Sequence, residues 1–107
     1  MKIIAAFILS CFALFSAYGA DPKTNWSNNC MLCHGPDGSA NTGMGKALNA
    51  KDLTSAQVQS SFTDVEAVAA IKDGVAKEGV TRMTAFGGKL SDEEIKALVA
   101  YVRTLKK

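Results

Sequence analysis

Five consecutive residues, Cys30-Met31-Leu32-Cys33-His34, constrain this chain more than any other feature. On a helical turn, two cysteines three apart and a histidine four after the first share one side. That arrangement suits one chemistry. Two thiols add across the two vinyl groups at one edge of a porphyrin, and the adjacent imidazole, held by those thioether bonds, ligates the iron from below. Three other readings of the same residues are weaker. A redox-active dithiol needs a strand-helix-strand context, and no such pattern surrounds Cys30. A structural zinc site needs four Cys or His ligands, and no fourth follows downstream. A simple exported disulfide accounts for the cysteines but leaves His34 to chance.

Covalent haem attachment implies export, and the N-terminus supplies it. Met1-Lys2 followed by Ile3 to Phe15 gives a positive start and an apolar run of about 13 residues, the layout of a secretory signal peptide. Ala17 and Gly19 satisfy the small-residue rule for cleavage after Gly19, and cleavage after Ala20 is the alternative. Residues 1–20 are therefore expected to be a leader and 21–107 a single monohaem domain. The apolar run is too short for a comfortable membrane span, which takes roughly 18 residues or more. No stable membrane insertion is expected once the leader is gone, and the mature protein is expected in the periplasm. Cys11 departs with the leader; the apolar run continues past it through Phe15, which argues against lipoprotein processing there.

About 87 residues remain, a size that buries only about 60% of its unfolded surface. The aromatic stock of that segment is Trp26, Phe62, Phe86 and Tyr101. One large apolar disc held covalently makes up the shortage, and its retention should be coupled to folding. Without Lys2, 11 basic residues face 10 acidic ones, so nothing points to nucleic acid. The closing Lys106-Lys107 pair suits a helix C-terminus.

Helix signals dominate the mature chain. Asp21-Pro22 is a cap followed by proline at the first helical position, starting a short helix that runs to the attachment residues. Trp26 falls four before Cys30, on the side of the first thiol. Gly35 to Gly45 is dense in turn formers and reads as an irregular loop passing closely around something bulky, with Leu48 and Leu53 after it as ring cover or ordinary core. Thr63-Asp64-Val65-Glu66 is a capping box, and Val65, Val68, Ala69 and Ile71 form an apolar stripe that Gly74 ends. Ser91 to Glu94 repeats the device before Ile95, Leu98, Val99, Val102 and Leu105, with Tyr101 beside the stripe, giving a final helix of about 14 residues. No segment shows sustained two-residue alternation between hairpin turns. The expected fold is all-α, with three to five helices wrapped around one covalently bound haem.

The sixth position of the iron decides what such a domain does. His34 is the sole histidine, and Met31 is locked inside the attachment motif. Met44 lies in the Gly-rich loop on the proximal side. Met83, within Thr81-Arg82-Met83-Thr84-Ala85-Phe86-Gly87-Gly88, follows the middle helix in a segment free to extend over the opposite face, and is the favoured ligand. A methionine filling an apolar gap is the alternative use.

These residues together resemble a small bacterial class I cytochrome c, similar to the cytochrome c6, c551 and c553 group and to single-haem modules of larger oxidoreductases. The resemblance covers essentially the whole mature chain: an aromatic four before Cys30, Cys-x-x-Cys-His-Gly to Gly35, Ile71-Lys72-Asp73-Gly74, Met83-x-Ala85-Phe86-Gly87, and Leu90-Ser91 leading to Tyr101-Val102. It implies a crossing of the first and last helices near Trp26 and Tyr101. Two departures stand out. Thr84 occupies the place after the ligating methionine where the family often has proline, which loosens the loop. Gly45-Lys46-Ala47-Leu48 replaces the Gly-Pro-x-Leu of the first loop, leaving the Lys46 carbonyl as the expected acceptor for His34.

The function implied is one-electron transfer by a soluble periplasmic monomer. Its single haem c is attached through Cys30 and Cys33 and ligated by His34 and Met83, and it serves redox protein partners as in a respiratory chain. No base, nucleophile or oxyanion-donor set is visible, so no catalysis on a substrate is expected. Lys46, Lys77 and Lys89 could border an exposed haem edge, although scattered lysines are ordinarily solvated surface. The alternatives are a gas-binding or sensing haem protein with a displaceable Met83, and a haem subunit of a larger oxidoreductase.

Overall fold

The computed structural model describes residues 19–107, so the expected leader, apart from Gly19 and Ala20, and Cys11 within it lie outside the described residues. Asp21 caps the first helix, its side chain accepting from the Thr24 amide at 2.9 Å, and Pro22 takes the first helical position. Helix α1 (Pro22–Asn25) runs without a break through a π-helical turn (Trp26–Cys30) into α2 (Met31–His34). The π turn closes with the Met31 N–H donating to the Trp26 carbonyl, one residue further than an α-helix reaches. π turns inside α-helices recur at functional sites, and this one lies directly before the attachment motif.

The turn-rich stretch after His34 is shorter than expected. Thr42 caps a helix, its hydroxyl accepting from the Gly45 amide at 2.8 Å, so that α3 (Gly43–Leu48) begins inside the glycine run. A good cap outweighs local glycine content because it satisfies an orphan donor of the first turn. Ser55 likewise caps the single turn α4 (Ala56–Gln59). Capping boxes at Thr63/Glu66 and Ser91/Glu94 form as expected and start α5 (Asp64–Asp73) and α6 (Asp92–Arg103). Counting the continuous run from Pro22 to His34 as one body, five helical bodies pack together among the described residues.

The fold is mostly helical, with one departure from all-α. Strands β1 (Val75–Lys77) and β2 (Val80–Met83) pair antiparallel across Glu78-Gly79, whose φ angles of 55° and 75° are those of a two-residue hairpin turn with both central residues left-handed. The sequence signal was present but weak: Glu-Gly is a poorer turn pair than Asn-Gly or Asp-Gly, and the strands are too short to show alternation.

The core is built on α6, whose Ile95, Leu98, Val99 and Val102 are buried against Trp26, Leu53, Ile71 and Leu90. The middle-helix stripe is narrower than the sequence suggested. Ile71 is buried and Ala67 and Val68 pack on the core, whereas Val65 is 79% exposed and Ala69 is exposed. Among the described residues no helix is long and apolar enough to cross a membrane.

A polar clamp joins the two ends of this core. Gln59, 6% exposed, donates through Nε2 to the Leu53 and Val102 carbonyls at 2.7 and 2.9 Å. Arg103 donates to the Gln59 carbonyl at 2.5 Å, the Phe62 carbonyl at 2.8 Å and Asp64 at 2.9 Å, while its guanidinium lies 4.4 Å over the Phe62 ring. A planar fork meets these acceptors at once and an ammonium cannot. Arg103→Lys should therefore cost about 1–3 kcal/mol, a fall in Tm of ~5 °C or more by thermal melt.

Candidate functional site

The Cys-x-x-Cys-His residues stand at the end of the first helical run because the chain is forced to turn there. Gly35, at φ 79° and ψ 169°, occupies a backbone region open essentially to glycine alone. Beyond it the loop folds back and satisfies the last carbonyls of α2: Thr42 Oγ1 donates to the Cys33 carbonyl at 2.7 Å, and the Ala40 amide to the His34 carbonyl at 2.8 Å. Trp26 fixes the same corner, its indole Nε1 donating to the Gly35 carbonyl at 3.1 Å. Its ring lies 5.8 Å from the His34 ring and 5.6 Å from that of Tyr101, so α6 crosses the first helix at the expected aromatic pair.

Both thiols are free and half-buried. Burial, with a smaller contribution from Cys33, pushes the Cys30 thiol up to about 11. A catalytic dithiol works through a depressed thiol pKa, the opposite direction from that of Cys30. Among the described residues no group of three or more His, Cys, Asp or Glu is arranged as metal ligands would be.

The imidazole is oriented by the backbone. His34 Nδ1 lies 3.2 Å from the Lys51 carbonyl, an acceptor only, so Nδ1 carries the proton and Nε2 presents its lone pair. Burial lowers the His34 pKa, against a smaller upward pull from that carbonyl, and favours the neutral ring a metal ligand needs. The expected acceptor, Lys46, is not used. Its carbonyl lies within α3 and accepts from the Asn49 amide, and the chain beyond α3 brings Lys51 to the ring instead.

Met83 ends β2, opposite Val75, and its half-buried side chain packs on the same core cluster as Cys30 and Met31. Met44 is 44% exposed on α3. Leu53 is buried in that core and Leu48 is half-buried. A shallow hollow of about 410 Å³ beside Met83 is lined by Gly74, Val75, Thr81 and Thr84 among others, and none of Cys30, Cys33 or His34 borders it.

The segment bearing Met83 is held on both sides despite Thr84. Upstream, the hairpin fixes it. Downstream, the Phe86 and Gly87 amides donate to the Ile71 and Lys72 carbonyls of α5 at 2.8 and 3.0 Å. Those bonds were hidden in the sequence because they consume the orphan carbonyls of a helix end, which carry no residue signature. Gly74 joins α5 to the hairpin at φ 76° and ψ 178°, and a Cβ there would lie 2.7 Å from the Met83 carbonyl. Lys46 on α3, Lys77 at the end of β1 and Lys89 between β2 and α6 are all exposed.

Helices crossing at an aromatic pair, a Cys-x-x-Cys-His corner and a pinned methionine segment define a c-type cytochrome of the small class I kind. Residues 17–102 match the family model described as cytochrome c oxidase, cbb3-type, subunit III, and the chain belongs to that family. It is 31% identical over 105 residues to cytochrome c-553 of Helicobacter pylori (strain ATCC 700392 / 26695), covering 98% of each chain. The solved KustC0563 c-type cytochrome is similar at a TM-score of 0.70 and 35% identity, over 82% of this chain and 100% of that one. A point mutant of the same cytochrome gives 0.67 and 34%, over 81% of this chain. The protein is thus an electron-carrying cytochrome, and its family implies covalently bound haem c.

Gly74→Ala should combine left-handed strain with a collision against the Met83 carbonyl. The expected cost is about 1–3 kcal/mol, seen as a lower Tm and faster amide exchange at Phe86 and Gly87.

Proposed function

We propose that this chain is a soluble, periplasmic, one-electron carrier: leader-directed, monomeric, with one haem c attached through Cys30 and Cys33 and ligated by His34 and Met83. The observation that carries the reading is the double anchoring of the Met83 segment, by the hairpin before it and the α5 carbonyls after it. A ligand so held keeps its place when the metal changes oxidation state, and little reorganisation is what fast electron transfer requires.

The donor set suits the group. Cys30 and Cys33 supply two thiols on one helical run, His34 Nε2 supplies a lone pair, and Met83 supplies a thioether. When bound, haem iron supplies the one-electron couple, and Met/His ligation in an apolar pocket raises its potential. The Lys51 carbonyl holds the His34 ring and its tautomer. Trp26 lies against the His34 ring and Tyr101 against Trp26, which braces the corner behind it. No residue is assigned to catalysis on a substrate, and the partners are redox proteins reached across the exposed surface.

Family membership favours a second reading in one respect, since the family description names an oxidase subunit. Near-complete mutual coverage with cytochrome c-553 supports the free carrier. The free carrier should elute alone at its own mass after export, whereas a bound subunit would co-purify with a larger protein.

The test is a visible spectrum of the exported, dithionite-reduced protein before and after carbon monoxide. A low-spin c-type spectrum unmoved by the gas is expected, and a rapid Soret shift would transfer the assignment to a gas-binding protein. Met83→Ala should open the position and permit that shift. Cys30→Ala combined with Cys33→Ala should abolish covalent haem, and its retention would overturn the attachment assignment.

A further inference from the structure

Three polar groups around Ala20 form a set that the electron-transfer reading does not use. The Ala20 N–H donates to Glu94 Oε2 at 3.2 Å. Asn25, 4% exposed, spends both amide hydrogens here, on the Ala20 carbonyl at 3.1 Å and on Glu94 Oε2 at 2.9 Å. Glu94 Oε1 meanwhile accepts from the Ser91 amide at 3.0 Å. A carboxylate on the last helix and a buried amide on the first thus converge on one backbone residue, next to the expected point of leader removal. Gly19 is at φ 83°, and a Cβ there would run into the Glu94 carboxylate, so a side chain at that position would displace it.

We propose that the leader is cut between Gly19 and Ala20, and that the Ala20 α-ammonium so created is bound by the Glu94 carboxylate, fastening the first helix onto the last. The cut is hydrolysis by a leader peptidase: water's hydroxyl goes to the Gly19 carbonyl carbon, the C–N bond breaks, and the nitrogen leaves as an amine that protonates. Before cleavage the contact is a single neutral N–H on a carboxylate. After it, the same nitrogen brings three donors and a full charge, and a charge-assisted bond is roughly twice as strong. Cleavage after Ala20 would discard this contact and leave Asn25 without its second acceptor. Its position beside Trp26 in the chain puts the ion pair at the start of the helix that carries Cys30 and His34.

The hydrogen bonds from Asn25, Ser91 and Ala20 hold the Glu94 carboxyl below its usual range, so at neutral pH it is ionised while the amine is charged. Glu93 is paired with Lys96 at 3.8 Å, whereas Asp21, next to the amine in the chain, keeps its charge while accepting from Thr24 and adds to the pull of Glu94. Lys23 lies on the segment of the amine itself, and its like charge works against the shift. An amine whose folded pKa is raised by a partner adds stability that is fully present below its unfolded value of about 7.7–8.0 and lost as pH rises through the folded one.

The exported holoprotein is first read by intact mass and N-terminal sequencing. Ala20 as the first residue is expected; Asp21 there overturns the proposal. The α-amine of wild type and Glu94→Gln is then titrated by NMR after isotopic N-methylation. Gln preserves the capping box, so the variant folds. The proton affinity of the amine should fall at least threefold in Glu94→Gln, and the Tm gap between the two proteins should narrow above pH ~9. Equal amine titration in both would show that Glu94 does not bind it. Neither readout depends on the state of the iron.

Discussion

The contact between Trp26 and Tyr101 organises the rest of the molecule. Trp26 is 2% exposed, touches α6 through Tyr101, and ties its indole N–H to the carbonyl of Gly35 just beyond the attachment motif. One side chain therefore sets how the first and last helices cross and where the Cys-x-x-Cys-His corner stands relative to them. Truncating a buried tryptophan costs on the order of 3–5 kcal/mol, a large share of the 5–15 kcal/mol that holds an ordinary domain together. In a chain with so few aromatic residues, nothing else could substitute for it.

The Cys-x-x-Cys-His segment and the Met83 segment are positioned by opposite means. Cys30, Cys33 and His34 ride on a continuous helical run and stop where Gly35 turns the chain, so their relative positions are fixed by helix geometry. Met83 stands on no helix. It is located by a short hairpin, by a glycine that only its own φ and ψ permit, and by amides that reach back to the end of α5. Backbone bonds thereby restrict the segment beyond Thr84 as a fixed φ would.

The Lys72–Asp92 pair at 3.5 Å is solvent-exposed, where such contacts are worth close to nothing. The stabilising polar work lies in the half-buried Arg103 and buried Gln59, which close the C-terminal end of α6 against the chain from Leu53 to Asp64. Sequence reading passed over both residues because a glutamine and an arginine carry no pattern of their own; their value comes from carbonyls left free by short helices, which appear only once the chain is folded.

By itself the sequence determined what is local or chemical: the Cys-x-x-Cys-His spacing, the two capping boxes, the Asp21-Pro22 start, the apolar stripe of α6 and the family to which these belong. Each of these needs only neighbours within one or two turns, so the residue order contains it. Tertiary structure decided the rest. It turned His34 toward Lys51 and not Lys46, started α3 inside a glycine-rich stretch, drew Val75 to Met83 into a hairpin, exposed Val65, and placed Glu94 against Ala20. Those outcomes depend on which backbone donors and acceptors remain unpaired after the helices form, and on distances between segments far apart in the chain. Neither is written in the spacing of residue types.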